Sequence, residues 1–249
     1  MSWADWGLLL AAAYGAGVLN AVAGGGSFLT FPALVAVGVP PIIANATSAV
    51  AVTPGYAGSV LGFKEELQAL PKALLRGEVL TAVAGGLIGA GLLLVTPQKL
   101  FVGLIPWLLA LATVLFAAGP WLTRRLQQDA GHHAWRLPGL LLVCVYGGYF
   151  NGGLGILLMA LYGLVGESRI HTANALKNLN SLVLALASVT AFALAGAVEW
   201  RAAAVMMVGT TAGGFWGARW AKKLPSHWVR AVVIATGVAM SLVFFRKVA

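Results

Sequence analysis

The feature that most constrains the fold is the long stretch from Trp6 to Phe63, which contains no charged side chain. A helix that crosses a membrane needs about 20 apolar residues. The chain is 60% hydrophobic and 9% charged, whereas an ordinary soluble domain is about 25% charged. A soluble fold of 249 residues could not bury so much apolar surface. The sequence therefore predicts an all-α polytopic membrane protein, because a membrane β-barrel would show short alternating segments instead.

Charge and motif content exclude several other functions. The net charge of +9 comes from basic residues in loops between apolar segments. The positive-inside rule explains such loops, so no nucleic-acid partner is predicted. The chain lacks a glycine-rich loop ending in Gly-Lys-Ser/Thr for ATP, and it lacks His and Asp partners for a nucleophilic serine in its apolar segments. His132 and His133 are interpreted as part of a solvated loop, and Cys144 as a small buried hydrophobe. We therefore expect no enzyme activity, no metal and no cofactor.

Eight apolar segments divide the chain into two membrane units. The N-terminal unit covers residues 1–122, the C-terminal unit covers residues 138–249, and the polar stretch 123–137 links them. Glycine and proline at 38–41 end the first segment, since proline suits a turn or the first turn of the next helix. The predicted segments cover residues 7–37, 42–62, 78–95, 100–122, 138–166, 171–197, 202–220 and 228–245.

The two units repeat the same motifs in the same order. Asn20 with glycines at 24–26 recurs as Asn151 with glycines at 152, 153 and 155. An Ala-Asn-Ala triplet at 44–46 recurs at 173–175, and a pair of glycines at 85–86 recurs at 213–214. The distance in sequence between the two copies is thus nearly the same for the Ala-Asn-Ala triplet and for the glycine pair. A duplicated hydrophobic chain with glycine-broken segments in matching places is typical of a secondary transporter. The sequence therefore predicts two tandem four-segment repeats.

Loop charge favours an inverted arrangement of these repeats. The loop after the second segment carries Lys64, Lys72 and Arg76, whereas its counterpart after the sixth segment carries only Arg201. Opposite charge in matching loops is expected if the two halves insert upside down relative to each other. An inverted repeat needs an odd number of crossings per half, which re-entrant first and fifth segments would provide. A parallel repeat with eight full crossings is the alternative.

Glycine breaks interrupt the first segment of each half. The arms of the fifth segment are about 13 residues each, or about 20 Å as helix, which is short of a hydrocarbon core of about 30 Å. Each broken segment is therefore either one long tilted helix or a re-entrant hairpin. A helix that restarts after a break points amide donors and its positive dipole end at the gap, which suits an anion. We expect a site at the breaks, with Asn20 and Asn151 approaching each other near the membrane midplane.

Other glycines are interpreted as helix-packing positions. Those at 85, 86 and 89 and at 213, 214 and 217 have the spacing of small residues on one helix face and no polar neighbour. We expect Gly86→Ala to be mild. In contrast, Gly25→Val or Gly153→Val should abolish function, because a β-branched side chain resists positive φ and blocks close approach.

A second polar cluster lies at the start of the second and sixth segments. Lys177 stands about two turns inside an otherwise uncharged region, and an intramembrane ammonium group is a functional-site candidate by default. It would supply positive charge for an anion, with amides and hydroxyls around it. The alternative is that the lysine extends to the interface. The predicted substrate-binding residues are Asn20, Gly24, Gly25, Gly26, Ser27, Asn45, Thr47, Ser48, Asn151, Gly152, Gly153, Gly155, Asn174, Lys177 and Asn178.

The stretches that carry these motifs resemble the sulfite exporter TauE/SafE family. In the first half they are GVLNAVAGGG at 17–26 and ANATS at 44–48, and in the second half they are GYFNGGLG at 148–155 and ANALKN at 173–178. The resemblance covers nearly the whole chain. It implies a bacterial-type transporter of small sulfur-containing anions, such as sulfite or sulfonates, but the individual anion does not carry over. Thr and Ser at 47–48 stand where the second half has Leu and Lys, so the two half-sites are not chemically equal.

The residues and the resemblance predict the same function. The chain is expected to be a secondary transporter, a multi-pass permease of the bacterial-type plasma (inner) membrane, whose partners are a small anionic substrate and the lipid bilayer. The alternative is an intramembrane enzyme or a non-transporting subunit of a membrane complex. Proton coupling is left open, because none of the acidic residues, Glu78 among them, lies deep in a predicted segment. The direction of transport and the oligomeric state are also left open.

Overall fold

The computed structural model describes residues 1–22, 26–128, 133–167, 169–220 and 226–248, and within these ranges every regular element is helical. A 3-10 turn at His133–Trp135 precedes α7. The α-helices are α1 (Trp3–Val22), α2 (Ser27–Ala36), α3 (Pro41–Gly62), α4 (Lys64–Gln68), α5 (Lys72–Val95), α6 (Gln98–Gln128), α7 (Arg136–Tyr149), α8 (Leu154–Leu164), α9 (Ile170–Leu194), α10 (Trp200–Trp220) and α11 (Ser226–Val248).

The predicted apolar segments all form helices, and both predicted breaks are present. The first segment divides into α1 and α2, and the fifth divides into α7 and α8. The polar flanks differ from the prediction, because helices continue beyond their apolar stretches. Helix α5 begins at Lys72 rather than near residue 78, and α6 continues to Gln128, inside the predicted linker.

Glycine and proline set several of the helix ends. Helices α2 and α8 end in the same way, on a glycine with positive φ: Gly38 at 89° and Gly166 at 82°. In each case the amide of the following residue bonds back to the last helical turn, Val39 to the Leu34 carbonyl and Glu167 to the Tyr162 carbonyl. This C-capping motif requires the left-handed conformation that glycine adopts without strain. Pro41 then starts α3 with its φ already suited to a helix.

Three helices in the described part of the chain are long and apolar enough to cross a membrane. They are Lys72–Val95, Ile170–Leu194 and, within α6, Gln98–Gly119. Helices α2 and α8 are also apolar but have only 10 and 11 residues. At about 1.5 Å per residue they reach about 15–17 Å, so neither can cross a hydrocarbon core of about 30 Å by itself.

Small residues bring the helices of the two halves into close contact. Helix α1 packs along α10, and α7 packs along α5. A Cβ added at Gly17 would overlap the Thr210 carbonyl and lie 2.6 Å from the Gly214 nitrogen. A Cβ added at Gly148 would lie 2.6 Å from the Gly86 carbonyl oxygen. Gly17 and Gly148 are thus packing positions in addition to the predicted ones. The helix-packing interpretation agrees with the contacts of Gly85, Gly89 and Gly213, where a Cβ would overlap atoms of a neighbouring helix.

The expectation that Gly86→Ala is mild is revised by this packing. A Cβ at Gly86 would lie 2.8 Å from the Leu184 carbonyl oxygen and 3.1 Å from the Leu184 Cα. Both atoms belong to the backbone of α9, which cannot move aside as a side chain can. An alanine at position 86 would therefore push α5 away from α9.

Helix pairs and one aromatic pair place the two helix breaks, between α1 and α2 and between α7 and α8, beside the core. Helix α3 packs against α9, and α6 packs against α11. Phe31 of α2 lies edge-on to Phe150, with ring centroids 5.8 Å apart, and both side chains are buried. This aromatic pair joins the arm after the first break to the residue that precedes the second break.

Candidate functional site

The first break lies between α1 and α2 and is bridged by an asparagine. Asn20, in the last turn of α1, accepts a hydrogen bond from the Gly26 amide through Oδ1 at 2.8 Å. Gly26 is buried, and a Cβ there would lie 2.6 Å from Asn20 Nδ2. Ser27, half-buried, begins α2. The predicted site residues Gly24 and Gly25 lie outside the described residues.

The second break lies between α7 and α8 and has a left-handed residue at its end. Gly153 has φ of 77° and immediately precedes α8. The Gly152 carbonyl accepts a hydrogen bond from the Tyr146 hydroxyl at 2.6 Å. Asn151 is buried and its Oδ1 accepts a hydrogen bond from Tyr56 of α3 at 3.3 Å. Gly155, half-buried, lies in the first turn of α8.

Helix α3 supplies further polar contacts from the predicted site residues. Asn45 Nδ2 donates to the Tyr149 carbonyl, at the end of α7, over 2.9 Å. Thr47 Oγ1 accepts from the Glu199 amide at 3.0 Å, just before α10 begins. The Ser48 hydroxyl lies 2.6 Å from the Thr30 hydroxyl of α2. Asn45, Thr47 and Ser48 are all buried, so the polar face of α3 points into the protein.

Helix α9 carries the counterparts of these residues, but their contacts differ. Asn174 donates to the Ile170 carbonyl of its own helix at 3.0 Å and does not bridge to another helix by this bond. Lys177 is half-buried, and it forms no ion pair with any described residue. Asn178 is buried beside it. Lys177 therefore remains a cation without a carboxylate partner in the described part of the structure.

The structure brings some of the predicted site residues together and leaves others apart. Asn45 and Asn151 both belong to the junction of α3 with the second break. Asn20 is bonded to its own break, and no hydrogen bond among the described residues joins it to Asn151.

A buried polar cluster that the sequence analysis missed lies where α5, α7, α8 and α9 meet. Glu78 is fully buried, and its Oε1 accepts from Arg136 Nε at 2.7 Å. Its Oε2 accepts from the Tyr162 hydroxyl at 2.6 Å and from Asn180 Nδ2 at 2.5 Å. The Arg136 guanidinium also lies over the Tyr162 ring, 5.6 Å from its centroid. We call these four residues the Glu78 cluster.

The Glu78 cluster was missed because the segments were assigned from their apolar character. Lys72 and Arg76 made the stretch before residue 78 resemble a loop, which placed Glu78 at the edge of the predicted segment 78–95, whereas α5 already begins at Lys72. The remaining signal was a set of isolated polar residues in apolar segments, Tyr162 and Asn180. That signal does not specify partners, because Glu78 and Asn180 are far apart in sequence.

An open groove of about 470 Å³ lies between α5 and α7. It is lined by Leu80, Thr81, Ala84, Leu137, Pro138 and Leu141. Of these residues, Leu80 and Leu137 are close in sequence to Glu78 and Arg136. None of the predicted substrate-binding residues lines the groove.

Comparison with protein families decides the identity of the chain. A family model described as sulfite exporter TauE/SafE matches residues 9–244, which is nearly the whole chain. The chain belongs to the sulfite exporter TauE/SafE family. This confirms the resemblance that the glycine and Ala-Asn motifs indicated.

Curated relatives point to the same class of protein. The chain is 25% identical to "Probable membrane transporter protein ORF9" of Sinorhizobium sp, over 94% of this chain and 90% of the relative. It is 26% identical to "Probable membrane transporter protein YfcA" of Escherichia coli K12, over 94% and 87%. It is also 26% identical to a "Probable membrane transporter protein" of Haemophilus influenzae, over 94% and 92%. The comparison with solved structures gave no match.

Family, relatives and apolar helices together support a membrane transporter of the TauE/SafE family. The family and the names of the relatives argue against an enzymatic role for this chain.

Proposed function

We propose that this TauE/SafE family member is a permease that carries a small sulfur-containing oxyanion, such as sulfite or an organosulfonate, across the bacterial plasma membrane. The observation that supports this most is the family match over residues 9–244, whose description names sulfite export. The protein would cross the membrane several times and would need no cofactor.

The helix breaks offer the ligand types that such an anion requires. Oxyanions bind well at helix N-termini, where free amides and the positive end of the helix dipole point outwards. Helices α2 and α8 both start directly after a glycine break, at Ser27 and Leu154. Gly153, with positive φ, turns the chain into α8 without a side chain in the way. These two starts are proposed as the two halves of the binding site.

Lys177 is the proposed source of positive charge. It stands on α9 two turns after the start of that helix, half-buried and without a carboxylate partner among the described residues. An unpaired ammonium inside a membrane protein is costly unless a ligand or water compensates it. Asn174 lies three residues before Lys177 and four before Asn178 on α9, so it shares a helical face with each of them, and these two asparagine amides would complete this part of the site. The other proposed ligands are Asn20, Gly24, Gly25, Gly26, Ser27, Asn45, Thr47, Ser48, Asn151, Gly152, Gly153 and Gly155.

The packing pattern supports a two-fold duplication around this site, and the opposite charge of matching loops favours its inverted form. Each helix of the first half has a counterpart in the second: α7 for α1, α10 for α5, α9 for α3 and α11 for α6. When every helix is exchanged for its counterpart, the observed helix pairs map onto one another. The α1–α10 contact becomes the α7–α5 contact, and the α3–α9 and α6–α11 contacts each map onto themselves. This is the relation expected of two repeats joined by a pseudo-two-fold axis. The short arms α2 and α8 would then return toward the face from which α1 and α7 enter.

Flux in liposomes that contain only this chain tests the proposal. We expect saturable movement of sulfite or an organosulfonate, with sulfate and simple carboxylates as the comparison anions. Gly153→Val should abolish the flux, because valine cannot adopt positive φ without strain. Gly91→Val is the matched control, since a Cβ at Gly91 would meet no atom within 4 Å.

Two outcomes would contradict the proposal. If only sulfate or carboxylates move, the substrate class is wrong. If well-folded protein moves none of the anions, the chain does not transport by itself, which would favour a subunit of a larger membrane complex.

A further inference from the structure

Helices α5 and α7 are in close contact at their middle and are farther apart at their starts. A Cβ added at Gly85 would overlap the Cys144 Cβ and lie 3.1 Å from the Cys144 backbone carbon. A Cβ added at Gly77, about two turns earlier, would lie 3.8 Å from the Leu137 side chain, which is an ordinary van der Waals distance. The α5–α7 groove lies between these two levels. It is therefore closed at Gly85 and widens toward the starts of both helices.

The walls of the groove are apolar and face outward. Leu80 is 62% exposed and Leu137 is 44% exposed, and Leu142, on the next turn of α7, is 65% exposed. Helix α5 is long and apolar enough to cross a membrane. On such a helix, exposed apolar side chains contact the acyl chains of the bilayer, because the hydrocarbon core contains no water. An outward apolar groove of this kind receives either an acyl chain or an apolar partner.

Two basic residues lie at the open end of the groove. Arg76 stands four residues before Leu80 on α5, and Ala84 follows four residues later, so the three share one helix face. Lys72 stands one turn before Arg76, at the first position of α5. Both cations are exposed, and neither forms an ion pair with another described residue. The groove thus leads to two cations that no described carboxylate balances.

The acidic residues nearby do not cancel this charge. The Glu78 carboxylate is fully buried, and Arg136 binds it at 2.7 Å, so the pair presents no net charge to the groove. Glu65 and Glu66 belong to α4, which packs against α9. The open end of the groove is therefore favourable for an anion.

We propose that the α5–α7 groove binds one anionic phospholipid. An acyl chain lies against Leu80 and Leu137, and the phosphate lies at Arg76 and Lys72. Trp135, 54% exposed and directly before α7, marks the headgroup level, where tryptophan rings are enriched. A purely apolar partner helix would fill the groove but leave the two cations unbalanced. The positive-inside rule assigns this end to the cytoplasmic face, whose leaflet carries the anionic lipids that basic sites between helices bind.

The corresponding helix pair, α1 with α10, lacks the features that make this groove. Aligning the two glycine pairs, 85–86 with 213–214, places Gly209 opposite Thr81, which lines the groove. A Cβ at Gly209 would lie 3.1 Å from the Leu10 carbonyl oxygen, so α10 and α1 pack closely at that level. Glycine closes this pair where threonine keeps α5 and α7 apart.

The charges differ between the two helix pairs as well. The same alignment places Ala204 opposite Arg76 and Trp200 opposite Lys72. Neither alanine nor tryptophan carries the charge that a phosphate group requires. One anionic-lipid site per chain is therefore expected, on the face that carries α5 and α7.

Native mass spectrometry of the purified full-length chain tests the headgroup contact without any assumption about transport. Titration with phosphatidylglycerol, or with phosphatidylcholine of the same acyl chains, gives the affinity of the first bound lipid. A basic residue contributes about fivefold to the affinity for an anionic lipid. Lys72→Gln/Arg76→Gln should therefore bind phosphatidylglycerol about 25-fold more weakly and bind phosphatidylcholine as the wild type does. Arg201→Gln, which removes an exposed cation at the start of α10, is the matched control and should keep the wild-type affinity.

A second variant tests the groove itself. Ala84→Phe places a ring in the groove and should weaken the binding of both lipids, whereas Ala204→Phe, at an exposed alanine of α10, should not. Glycerol 3-phosphate, which has the phosphate but no acyl chains, should fail to displace phosphatidylglycerol at equal concentration.

Three results would overturn the proposal. The first is unchanged phosphatidylglycerol affinity in well-folded Lys72→Gln/Arg76→Gln or Ala84→Phe protein. The second is displacement of the lipid by glycerol 3-phosphate, which would mean that the apolar groove takes no part. The third is a lipid-free dimer that becomes a monomer in Ala84→Phe, which would assign the groove to a second copy of this chain.

Discussion

The two helix breaks contain the same residue types, but different parts of the protein hold them. In the first break, Asn20 binds the Gly26 amide, so α1 closes its own break. In the second break, Asn151 is held by Tyr56 of α3, and the Gly152 carbonyl is held by Tyr146 of α7. The first break thus depends on one local hydrogen bond, whereas the second combines a local bond from α7 with a bond from a neighbouring helix, α3.

This difference shows that a repeated motif specifies a break in the helix but not its partners. Glycines with an asparagine free the backbone in both halves. The contacts that then satisfy the second break come from side chains outside the motif, Tyr56 and Tyr146, which have no place in the repeated pattern. The two breaks are therefore expected to respond differently to substitution, while the glycine contacts between helices should respond alike.

The largest effect is expected from valine at the contacts between the halves. Gly17→Val and Gly148→Val should each destabilise the protein by about 3 kcal/mol or more, since the new side chain would press on the backbone of another helix. Gly91→Val is the control with open space around it. Thermal unfolding and the monodisperse fraction in detergent measure the loss. A large loss for only one of the two variants would mean that the two contacts are not equivalent.

The glycine breaks and contacts could be predicted because glycine has a local physical consequence. The runs at 24–26 and 152–155 indicated interrupted helices, and the spacing of 85, 86 and 89 indicated close helix packing. Hydrogen-bond partners such as Tyr56 with Asn151 could not be predicted, because they depend on how distant helices pack. Glu78 was missed for a further reason: a charge at the edge of an apolar segment is equally consistent with a solvated loop, and only packing by α7, α8 and α9 buries it.

A second comparison concerns two corresponding positions on α3 and α9. Ser48 is buried and shares a hydrogen bond with Thr30, whereas Lys177, its counterpart in the second half, has no ion-pair partner among the described residues. Lys177→Met keeps much of the side-chain length and removes the charge, so the fold should survive. A charge-assisted contact contributes about 1.5–3 kcal/mol, so affinity for the anion should fall by about 10- to 150-fold.

Binding titrations with sulfite or an organosulfonate check the role of Lys177. Lys72→Met is the matched control, because Lys72 is exposed at the start of α5. Unchanged affinity in well-folded Lys177→Met protein would assign the lysine to the membrane interface rather than to the site.

The smallest effect is expected from removing single hydroxyl groups at the second break. Tyr146→Phe and Tyr56→Phe should each cost about 0.5–1.5 kcal/mol, with Tyr146→Phe the larger because its bond is 2.6 Å long and that of Tyr56 is 3.3 Å. Amide hydrogen exchange should accelerate at the start of α8 in both variants, because the turn before it loses a tether. Exchange at the start of α2 should not change, since Asn20 holds that break from within its own segment. Equal acceleration at both helix starts would mean that the two breaks move as one unit, and that the difference in their hydrogen bonds has no dynamic consequence.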